Sequence, residues 1–275
     1  MNLSLEESRA RDEHWGDVTA EPGGVDYIEV TAGGVPALWA VPHGAPPDGV
    51  LLCLHGGGFI GGSMFTHRKM FAHLAKQTGV RALVINYRRT PEFGHPAALD
   101  DSVAAYEWLR ASGFTRIAIT GDSAGGLLTL TTTLRVREKP VAIMPISAWT
   151  DMAGHSESIT RNQATDVLFG GEKPMNIRAL VEMYLRPGDD PADPEISPVN
   201  ADLTGLPPMY LQVSDAEMLL DDSVRVHEKA VKQGVDSTLD VVEGRQHTFQ
   251  MEAGNDKVAD DAIRRMADWV RPHLT

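Results

Sequence analysis

Short, mostly uninterrupted apolar runs alternate along this chain with stretches of helical spacing, and that rhythm narrows the possible folds more than any other feature. Val50–Leu54, Ala82–Asn86, Ile117–Thr120, Val141–Ile146, Met209–Val213 and Thr238–Val242 have the length and composition of strands. Between and after them, Phe71–Thr78, Pro96–Leu109, Leu127–Glu138, Asp222–Gln233 and Asp256–Val270 read as helices. Strands that are apolar on both faces and joined by helices imply a parallel sheet covered on both sides. Two earlier strands, Tyr27–Thr31 and Ala37–Val41, flank Gly33-Gly34 and read as a hairpin. The expected architecture is therefore α/β, with a mostly parallel eight-stranded sheet flanked by helices. At 275 residues, 42% of them apolar, the chain fits a single domain over 1–275.

The rhythm is interrupted in two places. Residues 3–15 carry Leu3, Leu5, Ala10 and Trp15 among many charges, the pattern of a short surface helix. Between Trp149 and Pro207 the chain is rich in Asp, Pro, Gly and Ser, with one clear helix near Asn176–Leu185. An insertion of that length in a compact α/β domain is usually functional.

Charge and cysteine content exclude some classes. Lys and Arg total 25 against 38 Asp and Glu, a net charge of −13, which argues against nucleic acid or an anionic membrane surface as partner. Cys53 is the only cysteine, so no intrachain disulfide can form. The N-terminal run MNLSLEESRARDEHW lacks the pattern of a signal peptide, and no apolar run approaches bilayer-spanning length. The expected location is cytoplasmic.

Gly121-Asp122-Ser123-Ala124-Gly125-Gly126 contains Gly-x-Ser-x-Gly between a strand and a helix. The bare pentapeptide is common; its setting is not. A strand that turns sharply into a helix needs small residues on both sides of a strained serine, lifts Oγ above the sheet edge and sets the helix N-terminus beneath it. The partial positive charge and free N–H groups there favour a developing oxyanion. Ser123 is the expected nucleophile.

His55-Gly56-Gly57-Gly58-Phe59 follows the strand Val50–Leu54 and can bring backbone N–H groups up to a substrate carbonyl. Gly56–Gly61 also satisfies the dinucleotide pattern G-x-G-x-x-G, but that motif requires an acid about twenty residues on, at a strand end. Here that strand runs into Asn86-Tyr87-Arg88, and no Gly-Lys-Ser/Thr follows. A cofactor is not expected, nor a metal, since no histidine pair has a convincing ligand spacing.

A serine needs a histidine to take its proton and a carboxylate to hold that histidine. Of ten histidines, His247 lies on the loop after the last strand, in the chain order serine, acid, histidine. The acid belongs on the loop after Met209–Val213, where Asp215 and Glu217 both qualify. Asp221 and Asp222 read as carboxylates complementing the dipole of the next helix.

Taken together, these motifs resemble the bacterial hormone-sensitive-lipase family of carboxylesterases (family IV, α/β-hydrolase fold-3). His55–Phe59 matches its HGGG-F signature and Gly121–Gly126 its GDSAGG. Tyr87–Glu92 with Pro96–Asp101, Leu206-Pro207-Pro208 and Gly244…His247-Thr248-Phe249 match further stretches in order. The resemblance implies an α/β-hydrolase fold with Ser123 as nucleophile, His247 as base and an oxyanion hole of the Gly57, Gly58 and Ala124 N–H groups. The family's acid opens an Asp-Pro-Leu-x-Asp-Glu motif. Setting Leu219–Asp222 against its Leu-x-Asp-Glu without a gap places the acid on Glu217, a departure from the usual Asp. The resemblance further implies a helical cap from about residues 1–24 and 150–205, and a small-molecule ester of short-to-medium acyl length as substrate. Edge strands near the C-terminus often pair in such folds, which makes a homodimer the assembly to test.

Overall fold

A computed structural model describes residues 4–46, 48–171 and 175–274, so Leu3 and parts of both expected cap segments lie outside the described residues. Its strands are β1 (Val25–Ala32), β2 (Val35–Pro42), β3 (Gly49–Leu54), β4 (Arg81–Ile85), β5 (Arg116–Asp122), β6 (Ala142–Ile146), β7 (Met209–Ser214) and β8 (Ser237–Val242). Its helices are α1 (Leu5–Asp12), α2 (Met64–Thr78), α3 (Ala97–Ala111), α4 (Ala124–Arg135), α5 (Ser158–Arg161), α6 (Val167–Gly170), α7 (Ile177–Tyr184), α8 (Leu220–Lys232) and α9 (Lys257–Leu274).

The strands form one sheet in the order β1-β2-β4-β3-β5-β6-β7-β8. The hairpin β1–β2 joins antiparallel to β4, with Trp39 opposite Leu83, and the remaining pairs are parallel. Every residue of β3 is buried. Val50, Leu52 and Leu54 pack on one face with α3, α4 and α8, whereas Leu51 and Cys53 pack on the other with α2 and α9. That two-residue period, apolar on both faces, is why a continuous run makes a central strand here. No helix among the described residues is long and apolar enough to cross a membrane.

Three helices begin earlier than their apolar spacing predicts, α8 at Leu220 rather than Asp222. At α2, Ser63 Oγ accepts from the N–H groups of Phe65 and Thr66, and Thr66 Oγ1 accepts from Ser63 N–H at 2.8 Å. This reciprocal cap, worth about 1 kcal/mol, starts the helix at Met64 rather than Phe71. α4 starts directly after Ser123 rather than at Leu127. In the N-terminal segment, α1 gives way at Glu13 to a 3-10 turn that runs to Val18.

Candidate active site

The loops after β3, β5, β7 and β8 all leave the carboxyl edge of the sheet, where parallel sheets bind ligands. β5 ends at Asp122 and α4 begins at Ala124, so Ser123 makes the turn alone. Its backbone angles, φ 54° and ψ −115°, lie in a region that costs an L residue on the order of 1–3 kcal/mol. Neighbouring main chain holds it there. Ser123 N–H donates to the Ile146 carbonyl at 2.9 Å, and its own carbonyl accepts from Trp149 N–H at 3.1 Å and Leu127 N–H at 3.2 Å. Gly125 is a steric requirement, because a Cβ there would run into the Leu54 carbonyl.

The glycine loop after β3 is anchored to this turn. Asp122 Oδ1 accepts from Gly56 N–H at 3.0 Å, and Asp122 Oδ2 lies 3.2 Å from His67 Nε2. His55 stacks on Tyr87 with ring centroids 4.0 Å apart, and Tyr87 Oη donates to the His55 carbonyl at 2.7 Å. Among the described residues, the N–H groups of Gly57, Gly58 and Ala124 meet no acceptor within the protein. His67 is a site residue that sequence reasoning missed. It lies in the first turn of α2, upstream of the stretch whose spacing predicts a helix, and only the Ser63–Thr66 cap signals its place.

On the other side, the fully buried Glu217 places Oε2 2.7 Å from His247 Nδ1. Its Oε1 accepts from Ser147 Oγ and from Ser214 N–H, both at 2.8 Å. Ser147, just after β6, sits at φ 44°, and no sequence motif marks it. Asp215 is exposed and accepts from Gly244 N–H at 2.6 Å, fastening the turn that leads to the histidine. Of the two acids left open by the residues alone, Glu217 is the one beside His247. The Phe169 ring meets His247 edge-on, with centroids 5.1 Å apart. Burial disfavours the imidazolium, but the hydrogen bond and charge of Glu217, joined by the charges of Asp166 and Asp122, hold the His247 pKa above the ordinary histidine value.

Ser123, His247, Gly57, Gly58 and His67 line one cavity of about 560 Å³. Trp15, Trp149, Phe169, Met175 and Leu180 supply much of its apolar wall, and exposed Val18, Val167 and Leu168 also line it. Both segments that break the sequence rhythm thus reach the cavity. Ser123 and His247 face the same cavity, and in unliganded enzymes the hydrogen bond of such a pair is often long and tightens only with substrate bound. Among the described residues, no group of three or more His, Cys, Asp or Glu side chains is arranged to hold a metal ion.

Asp221 and Asp222 do more than complement a helix dipole. Asp222 reaches back to accept from Thr150 N–H (2.6 Å), Asp151 N–H (2.9 Å) and Ser156 Oγ (2.5 Å). Asp221 accepts from Ser158 N–H at 2.8 Å and pairs with Arg161 at 2.6 Å. Burial pushes the Asp222 pKa up to about 6 against these hydrogen bonds. Both carboxylates tie the insertion to α8.

A strand order of this kind, with a strained serine at the end of β5 and a histidine after β8, defines an α/β hydrolase, and the α/β hydrolase fold family matches residues 51–251. The chain belongs to the bacterial hormone-sensitive-lipase group of that family and is a carboxylic ester hydrolase. It is 37% identical over 235 residues to an acetyl-hydrolase of Streptomyces hygroscopicus, covering 83% of this chain and 75% of that one. It is 31% identical over 236 residues to the esterase LipU of Mycobacterium tuberculosis, covering 82% and 80% respectively. The crystal structure of an esterase from the bacterial hormone-sensitive lipase family superposes with a TM-score of 0.94 at 36% identity, over 100% of this chain and 93% of that one.

Proposed function

We propose that this carboxylesterase cleaves esters of short-to-medium acyl length in two steps, through an acyl group carried on Ser123. His247 takes the hydroxyl proton as Ser123 attacks the ester carbonyl, and Glu217 orients the ring and stabilises the imidazolium that forms. The Gly57, Gly58 and Ala124 N–H groups receive the oxyanion, each such donor being worth roughly 10²–10³ in turnover. His247 then returns its proton to the leaving alcohol, and water releases the acid by the same route.

One observation carries this reading: the 2.7 Å contact of His247 with buried Glu217, on a cavity that Ser123 also lines. The acetyl-hydrolase relative supports a short acyl group. Residues 1–24 and 150–205 act in this reading as a cap that shapes the acyl and alcohol pockets and limits water. It also takes the enzyme to work in the cytoplasm, and takes any homodimer to form through the open edge of β8.

The test is hydrolysis of p-nitrophenyl esters of increasing acyl length by wild type and Ser123→Ala. Turnover should fall on the order of 10⁴-fold or more in the variant. A variant that keeps the wild-type rate overturns the assignment.

A further inference from the structure

The turn that carries Glu217 uses its N–H groups inward. Glu217 N–H donates to the Ser214 carbonyl at 3.3 Å, Ala216 N–H to Ser214 Oγ at 3.2 Å and Asp215 N–H to the Val242 carbonyl of β8 at 3.1 Å. Its carbonyls point the other way, into the insertion. Asn162 Nδ2 donates to the carbonyls of both Asp215 and Glu217, each at 2.7 Å. Thr165 Oγ1 donates to the Ala216 carbonyl at 2.9 Å and Ser158 Oγ to that of Met218 at 2.7 Å. Met218 N–H completes the set by donating to Asp166 Oδ2 at 2.8 Å. One short stretch of the insertion thus supplies donors to four consecutive carbonyls and an acceptor to the Met218 N–H, although the Glu217 carbonyl also accepts from Leu220 N–H at 3.2 Å.

The same stretch grips the histidine loop. The Gln246 amide donates to the Thr165 carbonyl at 3.1 Å and accepts from Val167 N–H at 2.9 Å. Asp166 Oδ1 caps α6 by accepting from Leu168 and Phe169 N–H, both at 3.0 Å, and so sets the Phe169 ring against His247. Asn162 and Asp166 are both buried.

We infer that residues 158–169 form a strap that fixes Glu217 relative to His247, with Asn162 and Asp166 as positioning residues for proton transfer. The inference rests on the proposed roles of Ser123, His247 and Glu217. Removing Asn162 takes a donor from the Asp215 and Glu217 carbonyls, leaving the latter only Leu220 N–H at 3.2 Å, and loosens the turn's tie to the insertion; a displacement of about 1 Å near a reacting group can cost about 10²-fold. Asp166 also acts through charge, since it is one of three carboxylates, with Glu217 and Asp122, that favour the His247 imidazolium.

The experiment compares kcat, KM and the pH–rate profile for p-nitrophenyl butyrate in wild type, Ser123→Ala, Asn162→Ala, Asp166→Asn and Gln246→Ala, with thermal midpoints alongside. Asn162→Ala should lower kcat roughly 10–100-fold with KM within about twofold. Asp166→Asn keeps a capping side chain but loses the charge, so the acid limb of kcat/KM should move to lower pH. Wild-type kcat in Asn162→Ala with an unmoved acid limb in Asp166→Asn overturns the strap, provided Ser123→Ala is inactive. An active Ser123→Ala overturns the underlying site assignment instead. If Asn162→Ala does not fold, Gln246→Ala, whose side chain is exposed, decides with Asp166→Asn. A several-fold drop in its kcat supports the strap, and unchanged values in both overturn it.

Discussion

Around Ser123, the groups that fix the turn are main chain: the Ile146 carbonyl, the N–H groups of Leu127 and Trp149, and the Leu54 carbonyl pressed against Gly125. Around Glu217 they are chiefly side chains, Ser147 and Asn162 from elsewhere in the sequence and His247 from the next loop. The first half of the site is set by sheet geometry and small residues. It should therefore resist the loss of any one polar atom and fail when volume is added. The second half is set by individual hydrogen bonds across long sequence separations, and should respond in the opposite way.

Glu217→Gln puts that contrast under the heaviest load. The amide keeps the shape but cannot stabilise an imidazolium, so kcat/KM should fall on the order of 10²–10⁴-fold. Wild-type activity is lost as pH falls through the His247 pKa, because the base must be neutral. That pKa is raised, so the acid limb should lie above about 6.5, and in Glu217→Gln it should shift downward. A pH–rate series that finds the limb unmoved would separate Glu217 from the base.

Adding volume to the other half is the reciprocal experiment. Gly125→Ala should cost about 2–4 kcal/mol of stability, read as a lower denaturant midpoint, since the methyl meets backbone that cannot step aside. A midpoint equal to wild type would show that the turn is softer than its packing implies.

Ser147→Ala tests one hydrogen bond at a time. It removes a donor from Glu217 Oε1 but leaves Ser214 N–H in place, so kcat should drop roughly 5–30-fold with little change in KM. The smallest effect belongs to Asp215→Asn. That side chain fastens an exposed turn, so turnover should stay within about twofold of wild type. A loss matching that of Glu217→Gln would move the relay to Asp215.

The contrast also explains what could be read from the residues alone. The sheet, the serine turn and the glycine loop are local in sequence, and glycines mark where backbone must pass close to backbone. His247 is recognisable because its loop follows the last strand. The residues alone leave the acid divided between Asp215 and Glu217 because its surroundings come from just after β6, 70 residues away, and from the insertion, 55 residues away. Ser147 and Asn162 are ordinary polar residues until the fold brings them to Glu217. His67 was hidden by a helix start that depends on a Ser63–Thr66 cap rather than on apolar spacing. Asp222 reads as a partner for its own helix because nothing in a linear sequence shows a carboxylate reaching back to residues 150–156.

That last joint bears on how such enzymes can be recombined. Asp222 is rooted in α8 but satisfies the first turns of the insertion, so the boundary between the two is a shared set of bonds. A chimaera that exchanges residues 150–205 for a relative's segment, while keeping this chain's α8, would inherit a buried carboxylate whose hydroxyl partner at Ser156, and the backbone path that aims two N–H groups at it, come from a different sequence. The unit that can be transplanted is therefore the insertion together with the acid loop and the start of α8, a discontinuous module whose ends do not coincide with the loops that border it.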